Sequence, residues 1–384
     1  MKRTLFLATA ACTGVVAFFH SALSQNWTRT GAPTNRWVFV ASSSDGSKLA
    51  ALLSGEGGIY VSTNSGATWS LSGAPVTIGF NAVASSLDGS KLVAVGSGIY
   101  TSTNGGATWV SRTNLLNLES VASSADGVKL VTAAWGPGFV YTSTNSGVTW
   151  QKTSAPANYW TSVASSADGS KLAVGYGSLI YTSTDSGTTW NLKLTVTSSA
   201  TAVSVASSAD GNTLAWATGG GNSAGGIFVS TNAGTTWRTN LAPIAPLSSI
   251  ACSADGKRLI ALDGALIFNS TNAGVSWTTS SIPAVTMRSV ASSADGSKQV
   301  GVMQFGGIYM TVPGLNVVLG GTNSVISWPS TAIAMGFSLQ QNSDFTTTNW
   351  VTLTNTPALD LPSSQYQVSL PATNNAGFYR LFLH

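Results

Sequence analysis

The sequence predicts an all-β chain whose main part closes into a seven-bladed β-propeller, and three observations carry that expectation. A stretch of the form Val-Ala-Ser-Ser-x-Asp-Gly recurs with its Asp at Asp45, Asp88, Asp126, Asp168, Asp210, Asp255 and Asp295. Copies are 38 to 45 residues apart, the length of one four-stranded blade and too long for a leucine-rich or hexapeptide solenoid turn. A second stretch, Ser-Thr-Asn/Asp-x-Gly-x-Thr/Ser-Trp, interleaves with the first and ends at Trp69, Trp109, Trp150, Trp190, Trp237 and Trp277. Finally, Asn26-Trp27-Thr28 precedes the first Asp-Gly turn at the usual spacing, whereas the repeat from Ser289 to Thr311 lacks a second stretch.

Each repeat reads as four short strands. An apolar-Ser alternation leads into the Asp-Gly turn, a Lys-Leu-Val-Ala-Val type of run follows, Gly-Ile-Tyr-x-Ser-Thr comes third, and Thr-Trp opens the fourth. Period-2 patterning, β-branched residues and Gly/Asn/Asp punctuation favour strands throughout. The Asp-Gly pair suits a tight hairpin, because Gly takes positive φ freely and the Asp carboxylate can accept nearby backbone N–H groups. Trp27 looks like a fourth strand arriving before its own blade, and the last repeat needs one. A closed ring uses both fragments and leaves only short edges.

Residues before Trp27 read as a signal peptide, 1–24. Lys2 and Arg3 precede an apolar run from Leu5 to Phe19, and Ala22-Leu23-Ser24 supplies small residues for cleavage,. A lipoprotein signal through Thr9-Ala10-Ala11-Cys12 is the alternative. The run is shorter than the roughly twenty residues of a membrane helix, so no membrane span is expected, and bacterial export to the exterior or the cell surface is. Cleavage removes two of the 17 basic residues and none of the 13 acidic ones. The remaining excess is too small for a nucleic-acid or anionic-membrane partner. Charged residues make up 8% of the chain, against roughly 25% in ordinary domains. Of the cysteines and histidines, Cys12 and His20 leave with the signal, so Cys252 and His384 stand alone. Neither an internal disulfide, a His/Cys metal site nor a His-based triad is expected, and no cofactor is implied.

The eight-residue stretch has its own mechanics. Asn64, Asn104, Asn145, Asp185, Asn232 and Asn272 can accept backbone N–H groups inside the turn, Gly66 and its equivalents take the left-handed conformation, and the terminal Trp covers the hairpin. On these residues the chain resembles the Asp-box repeat of sialidase-like propellers, with Asn at the Asp position in five copies and Asp185 in the other. The resemblance implies a propeller over 25–314, and a structural box between third and fourth strands, away from the binding face. It also implies what a sialidase would need: three clustered arginines, a Tyr-Glu pair and a Phe/Tyr-Arg-Ile-Pro motif. The last is absent, Ser281-Ile282-Pro283 lacking its Arg.

Carboxylates are scarce outside these motifs. Apart from the turn residues and Asp185, only Glu56, Glu119, Asp263, Asp344 and Asp360 remain. Glycoside hydrolysis usually needs two carboxylates flanking the substrate; Glu56, Glu119 and Asp263 fall in or beside segments facing the binding side, so a pair is conceivable, but an enzyme is not expected and a glycoside hydrolase is the lesser alternative. Three residues after most of the turn Asp stands a basic residue, Lys48, Lys91, Lys129, Lys171, Arg258 or Lys298, which suggests a ring of exposed ion pairs.

Ligand contact is expected on the loops entering each blade and on those between second and third strands. The candidates are Arg36, Trp37, Trp135, Trp160, Tyr176, Trp216 and Arg288; Phe80, Glu119, Tyr159 and Phe305 lie in the same loops. Aromatic platforms with few charges suit sugar rings or an apolar protein surface. Packing competes with contact for Trp37 and Trp160, which share one repeat position with Phe80, Leu118, Leu247 and Met287. Residues 315–384 break the pattern and form strand-like runs of β-sandwich size, similar in composition and length to fibronectin-like modules of exported bacterial proteins. The expected function is that of a secreted, monomeric, non-enzymatic binding protein for a glycan or a protein. The alternative is an assembly role, as in the photosystem II assembly-factor-like members of the repeat class.

Overall fold

The Asp-Gly turn is the unit from which the structure is built. A computed structural model describes residues 7–8, 26–55, 57–113, 115–196, 201–219, 226–240, 247–281, 286–312, 316–320, 323–329, 337–342, 351–360, 365–371 and 378–383. Ser43 and Ser47 hydroxyls donate to the Asp45 carboxylate at 2.6 and 2.7 Å, and the Ser47 N–H donates at 2.9 Å. Gly46 follows at φ 69°. The turn joins Trp37–Ser42 to Leu49–Leu53, after which Ile59–Ser62 and Ser70–Leu71 complete an antiparallel sheet in chain order. Five further sheets repeat this meander. They begin at Phe80–Ser85, Leu118–Ser123, Ser162–Ser165, Thr201–Ser207 and Ser249–Cys252. We number these blades 1 to 6.

Blade 7 combines Met287–Ser292, Gln299–Met303 and Ile308–Val312 with Asn26–Arg29, which pairs with the last of them. The phase is that of a fourth strand. Gly31 N–H donates to Gly66 O of the blade 1 motif at 3.1 Å, just as Gly73 N–H, following the fourth strand of blade 1, donates to Gly106 O of blade 2 at 3.0 Å. The expected closure of a seven-bladed ring is therefore what the chain forms, and it is all-β.

A closed cycle of backbone hydrogen bonds marks the ring. The residue before each turn Asp donates to its counterpart one blade on: Ser44 to Leu87, Leu87 to Ala125, Ala125 to Ala167, Ala167 to Ala209, Ala209 to Ala254, Ala254 to Ala294, and Ala294 back to Ser44, all at 2.7–2.9 Å. The basic residues reinforce the cycle, and the turn carboxylates their charges favour are those of the next blade, as Lys48 on Asp88 and Lys91 on Asp126. An added Cβ at Gly46, Gly89, Gly127, Gly169 or Gly211 would stand within 2.8 Å of the Lys stem of the preceding blade, so that stem lies flat on the turn. The ammonium groups of Lys48, Lys91 and Lys171 then donate to the carbonyls of Asp88, Asp126 and Asp210 at 2.8–2.9 Å. Lys298, which covers Gly46 across the closure, is 6% exposed. The reason is steric: only Gly leaves room for an aliphatic stem, and the stem is more useful covering the turn than extended in water.

Burial works against ionisation of Asp45, but hydrogen bonds from Ser43 and Ser47 outweigh it and hold its pKa down to about 2. Hydrogen bonds from the neighbouring Ser and backbone likewise lower Asp88, Asp126, Asp168 and Asp210. A depressed carboxylate contributes stability that is present above its unfolded pKa of about 4 and is lost as pH falls through the folded value. The melting temperature is accordingly expected to drop steeply between about pH 4 and pH 2, less so in Asp126→Asn. A pH–melting series with equal slopes for both proteins would contradict this.

Chain contacts divide the molecule into two units, Arg29–Met310 and a smaller one of Met1–Thr28 with Thr311–His384. In the smaller unit one sheet orders Asn316–Gly320, Asn323–Pro329, Gln365–Pro371 and Ala358–Asp360, and a second places Phe337–Asn342 between Phe378–Leu383 and Val351–Thr352. Ile326, Trp328, Val368 and Leu370 of the first sheet bury against Leu339 of the second, the layering of a β-sandwich. Of the expected signal peptide, only Leu7–Ala8 are described, paired with Phe378 and Tyr379; the remainder of 1–24 lies outside the described residues. No described helix is long and apolar enough to cross a membrane.

Candidate binding site on the loop side

The meander sorts the connections to two sides. Asp-Gly turns join strands one and two, and the eight-residue motifs join strands three and four, so both lie at the same ends of the strands. The loops between strands two and three, and those entering each blade, occupy the other side. On the turn side the motif is closed by its own hydrogen bonds. Ser62 Oγ donates to Asn64 Oδ1 at 3.0 Å and accepts Gly66 N–H at 2.9 Å, Asn64 Oδ1 accepts Thr68 N–H at 2.9 Å, and Trp69 Nε1 donates to Gly66 O at 3.1 Å. The same indole bond is made by Trp109, Trp150, Trp190 and Trp237, while Trp277 packs on the core between blades 5 and 6. Asn104, Asn145, Asn232 and Asn272 repeat the Asn64 contacts. Asp185 accepts Thr189 N–H at 2.8 Å and its hydroxyl at 2.6 Å. The residue before the motif Gly is also left-handed, Ser65 at φ 54° and Ala233 at φ 54°; blade 2 places Gly105 there.

Three of the expected contact residues belong instead to the core. Trp37, Trp160 and Trp216 are each 0% exposed, so no ligand on the surface reaches them. Trp37 and Trp160 share their repeat position with Phe80, Leu118, Leu247 and Met287, all buried; the position anchors the inner strand. Trp37 Nε1 donates to Pro33 O at 3.2 Å, and its ring meets Tyr60 edge-on at 5.3 Å. Trp160 packs the same way on Tyr181 at 5.6 Å. Trp216 is explained by a volume exchange. Blade 5 has Ala202 at the anchor position, and both Ala202 and Trp216 face Gly175 of blade 4. At the Trp216 position the other blades carry Ala51, Ala94, Thr132, Val174, Ala261 and Gly301. The small anchor and the large second-strand residue compensate one another, a pairing that the aligned repeats display.

The remaining candidates are on the surface and form two groups. Trp135 is 50% exposed, Tyr159 42%, and Tyr176 is half-buried. Their rings are consecutive: Trp135 meets Tyr159 edge-on at 5.8 Å, and Tyr159 meets Tyr176 at 5.8 Å with planes tilted by 32°. They come from the strand 2–3 loop of blade 3, the loop entering blade 4, and the end of the second strand of blade 4. Trp135 N–H donates to Asn117 O at 2.7 Å, and Gly138 and Asn158 exchange hydrogen bonds at 3.0 Å, so the backbones beneath the rings are tied together. Phe139 adjoins this loop with the Lys152 ammonium 3.2 Å from its ring centre. Its Gly-Phe-Val-Tyr context reads only as a strand.

The second group lies where blade 7 meets blade 1. Arg36 is exposed, with its guanidinium 5.0 Å from the ring centre of Phe305, itself 71% exposed. Asn35 and Gly306 exchange hydrogen bonds at 2.8 and 3.1 Å. Arg288 is exposed on the inner strand of blade 7. Glu119 is half-buried on the inner strand of blade 3, with Asn81 Nδ2 3.5 Å from Oε2. Asp263 accepts the N–H groups of Ala265 and Leu266 at 3.2 and 2.7 Å, which makes it a turn residue. Glu56 and Asp344 lie outside the described residues. Among the described residues no cluster of His, Cys, Asp or Glu is arranged to hold a metal ion. Burial raises the Cys252 thiol pKa to about 12, so the thiolate is not available as a nucleophile.

No family model and no curated protein match the chain in sequence. Solved structures do. A structure of YCF48 from Cyanidioschyzon merolae aligns with a TM-score of 0.58 at 13% identity, covering 74% of this chain and 98% of its own. YCF48 bound to D1 peptide aligns at 0.58 and 17% identity over 76% of this chain and 98% of its own. The GH74 xyloglucanase from Xanthomonas campestris aligns at 0.60 and 16% identity, covering 80% of this chain. The chain spans about 60% of that enzyme's length. At these identities the similarity is one of fold.

Proposed function

We propose that this chain is an exported, non-enzymatic Asp-box propeller that binds a glycan on the Trp135–Tyr159–Tyr176 platform. The single observation that carries the reading is this run of three rings on the loop side, drawn from three separate segments. Aromatic side chains presented on fixed backbone offer a large apolar surface at low entropic cost, with hydroxyl and indole groups at the edges. The carboxylate inventory supports binding rather than hydrolysis, since the seven turn Asp and Asp185 hold turns on the opposite side. Export rests on the residues before Asn26, and attachment or sorting falls to the smaller unit.

Trp135→Ala is expected to reduce retention in a glycan array and in affinity electrophoresis against xyloglucan by about tenfold or more, on the scale of one lost aromatic contact. The melting temperature should stay within a few degrees, because the side chain is largely exposed. Retention equal to wild type across the panel would sink the reading. A protein partner is the second reading, favoured by Arg36 stacked on Phe305 at the far side of the ring. Pull-down of one stable partner, lost in Arg36→Ala and retained in Trp135→Ala, would establish it instead. Depletion of a polysaccharide, abolished by Asp263→Asn or Glu56→Gln, would overturn both.

A further inference from the structure

In blades 2, 4 and 6 the residue after the anchor position carries a side chain that donates to the next blade. Asn81 Nδ2 donates to Leu118 O at 2.9 Å, Thr161 Oγ1 to Ala202 O at 3.0 Å, and Ser248 Oγ to Met287 O at 3.3 Å. Each acceptor is the anchor carbonyl of the neighbouring blade, so the bonds strap adjacent inner strands at their loop-side ends. Blade 3 has Glu119 at this position. Its acceptor by the repeat is Trp160 O, the carbonyl just after Tyr159 of the platform. An ionised carboxylate only accepts hydrogen bonds, whereas a carboxylic acid donates one.

Asn81 Nδ2 donates to Glu119 Oε2 at 3.5 Å; beyond that contact the packed strands bring no charge that favours ionisation. The strands packed against Leu118–Ser123 are Phe80–Ser85, Leu92–Gly96, Leu130–Ala134 and Ser162–Ser165, and none contains a charged residue. Lys91 and Lys129 stand beyond their turn-side ends, where their stems lie on the Gly127 and Gly169 turns. Burial raises the Glu119 pKa above the ordinary carboxylate value,. A raised carboxylate contributes stability that is complete below its unfolded pKa and is lost as pH rises through the folded one.

We propose that Glu119 is a proton-operated positioning residue for the platform: protonated, its carboxyl donates to the Trp160 carbonyl and fixes the Tyr159 loop, and ionised, it releases that strap. This inference rests on the platform reading, and the test separates the two. Amide hydrogen exchange in residues 153–161 is compared at pH 5 and pH 8 among the full-length wild type, Glu119→Gln, which donates at every pH, and Glu119→Thr, the blade 4 solution. Comparison at equal pH cancels the intrinsic rate. At pH 8 wild type is expected to exchange about three- to tenfold faster than either variant, and the ratio is expected to fall toward one as pH is lowered. Xyloglucan retention should weaken from pH 5 to pH 8 in wild type only. A wild-type-to-variant exchange ratio that is the same at both pH values overturns the strap. Retention indifferent to Trp135→Ala overturns the platform, whatever the exchange shows.

Discussion

Deleting residues 26–32 is expected to destabilise the propeller by about 3–5 kcal/mol, the scale of losing the half-buried Trp27 ring together with the strand pairing,. The segment supplies the outer strand of blade 7, the Thr30 N–H bond to Ile308 O at 2.8 Å, and the Gly31 bond to the blade 1 motif. Without it Ile308–Val312 becomes an open edge, competent to pair with another chain. Urea melts of the intact and truncated proteins should differ in midpoint, and the truncated protein should aggregate at lower concentration. A truncation that melts with the parent would mean that the cycle through Ser44 and Ala294 closes the ring unaided.

Trp216→Ala should cost about 3–5 kcal/mol, although the sequence marks Trp216 as a surface candidate. The indole fills the space left by Ala202 and packs on Phe228 at 5.3 Å. Ala202→Leu in the Trp216→Ala background returns the large residue to the inner strand, as in six other blades. It should recover a good part of the loss, a coupling that a double-mutant cycle reads directly. Additive losses would show that the two sites do not share one space. Trp135→Ala is the control, with a binding defect and little change in melting.

These tryptophans show what was legible. Trp216 stands six residues after its turn Asp and Trp135 nine after its own, a difference of three counted along the equivalent strands of blades 5 and 3. At six the chain is still between its two strand partners, Val205 and Phe228; at nine it has passed the last paired residue, Ala134. Composition and flanking Gly look alike at both, so only the strand's end separates core from surface. The basic residues follow the same logic. Their spacing from the Asp was plain, but the ring brings each to the next blade's glycine, and sequence distance within a repeat cannot reveal a neighbour some forty residues on. Tyr159, by contrast, was readable as a loop aromatic because it precedes an anchor residue.

The sequence by itself determined the repeat, the turn chemistry and the number of blades, because Asp-Gly turns and Ser-Asn-Gly-Trp motifs are closed by hydrogen bonds within a few residues. It also determined that Trp27 belongs to the last sheet, since only that phase leaves no half-blade over. Tertiary structure alone decided which aromatic rings are exposed and which are core, and that Lys stems reach across to the turn of the next blade. Those outcomes depend on how far each strand extends and on what the adjoining blade places opposite, and both are fixed only when the ring closes.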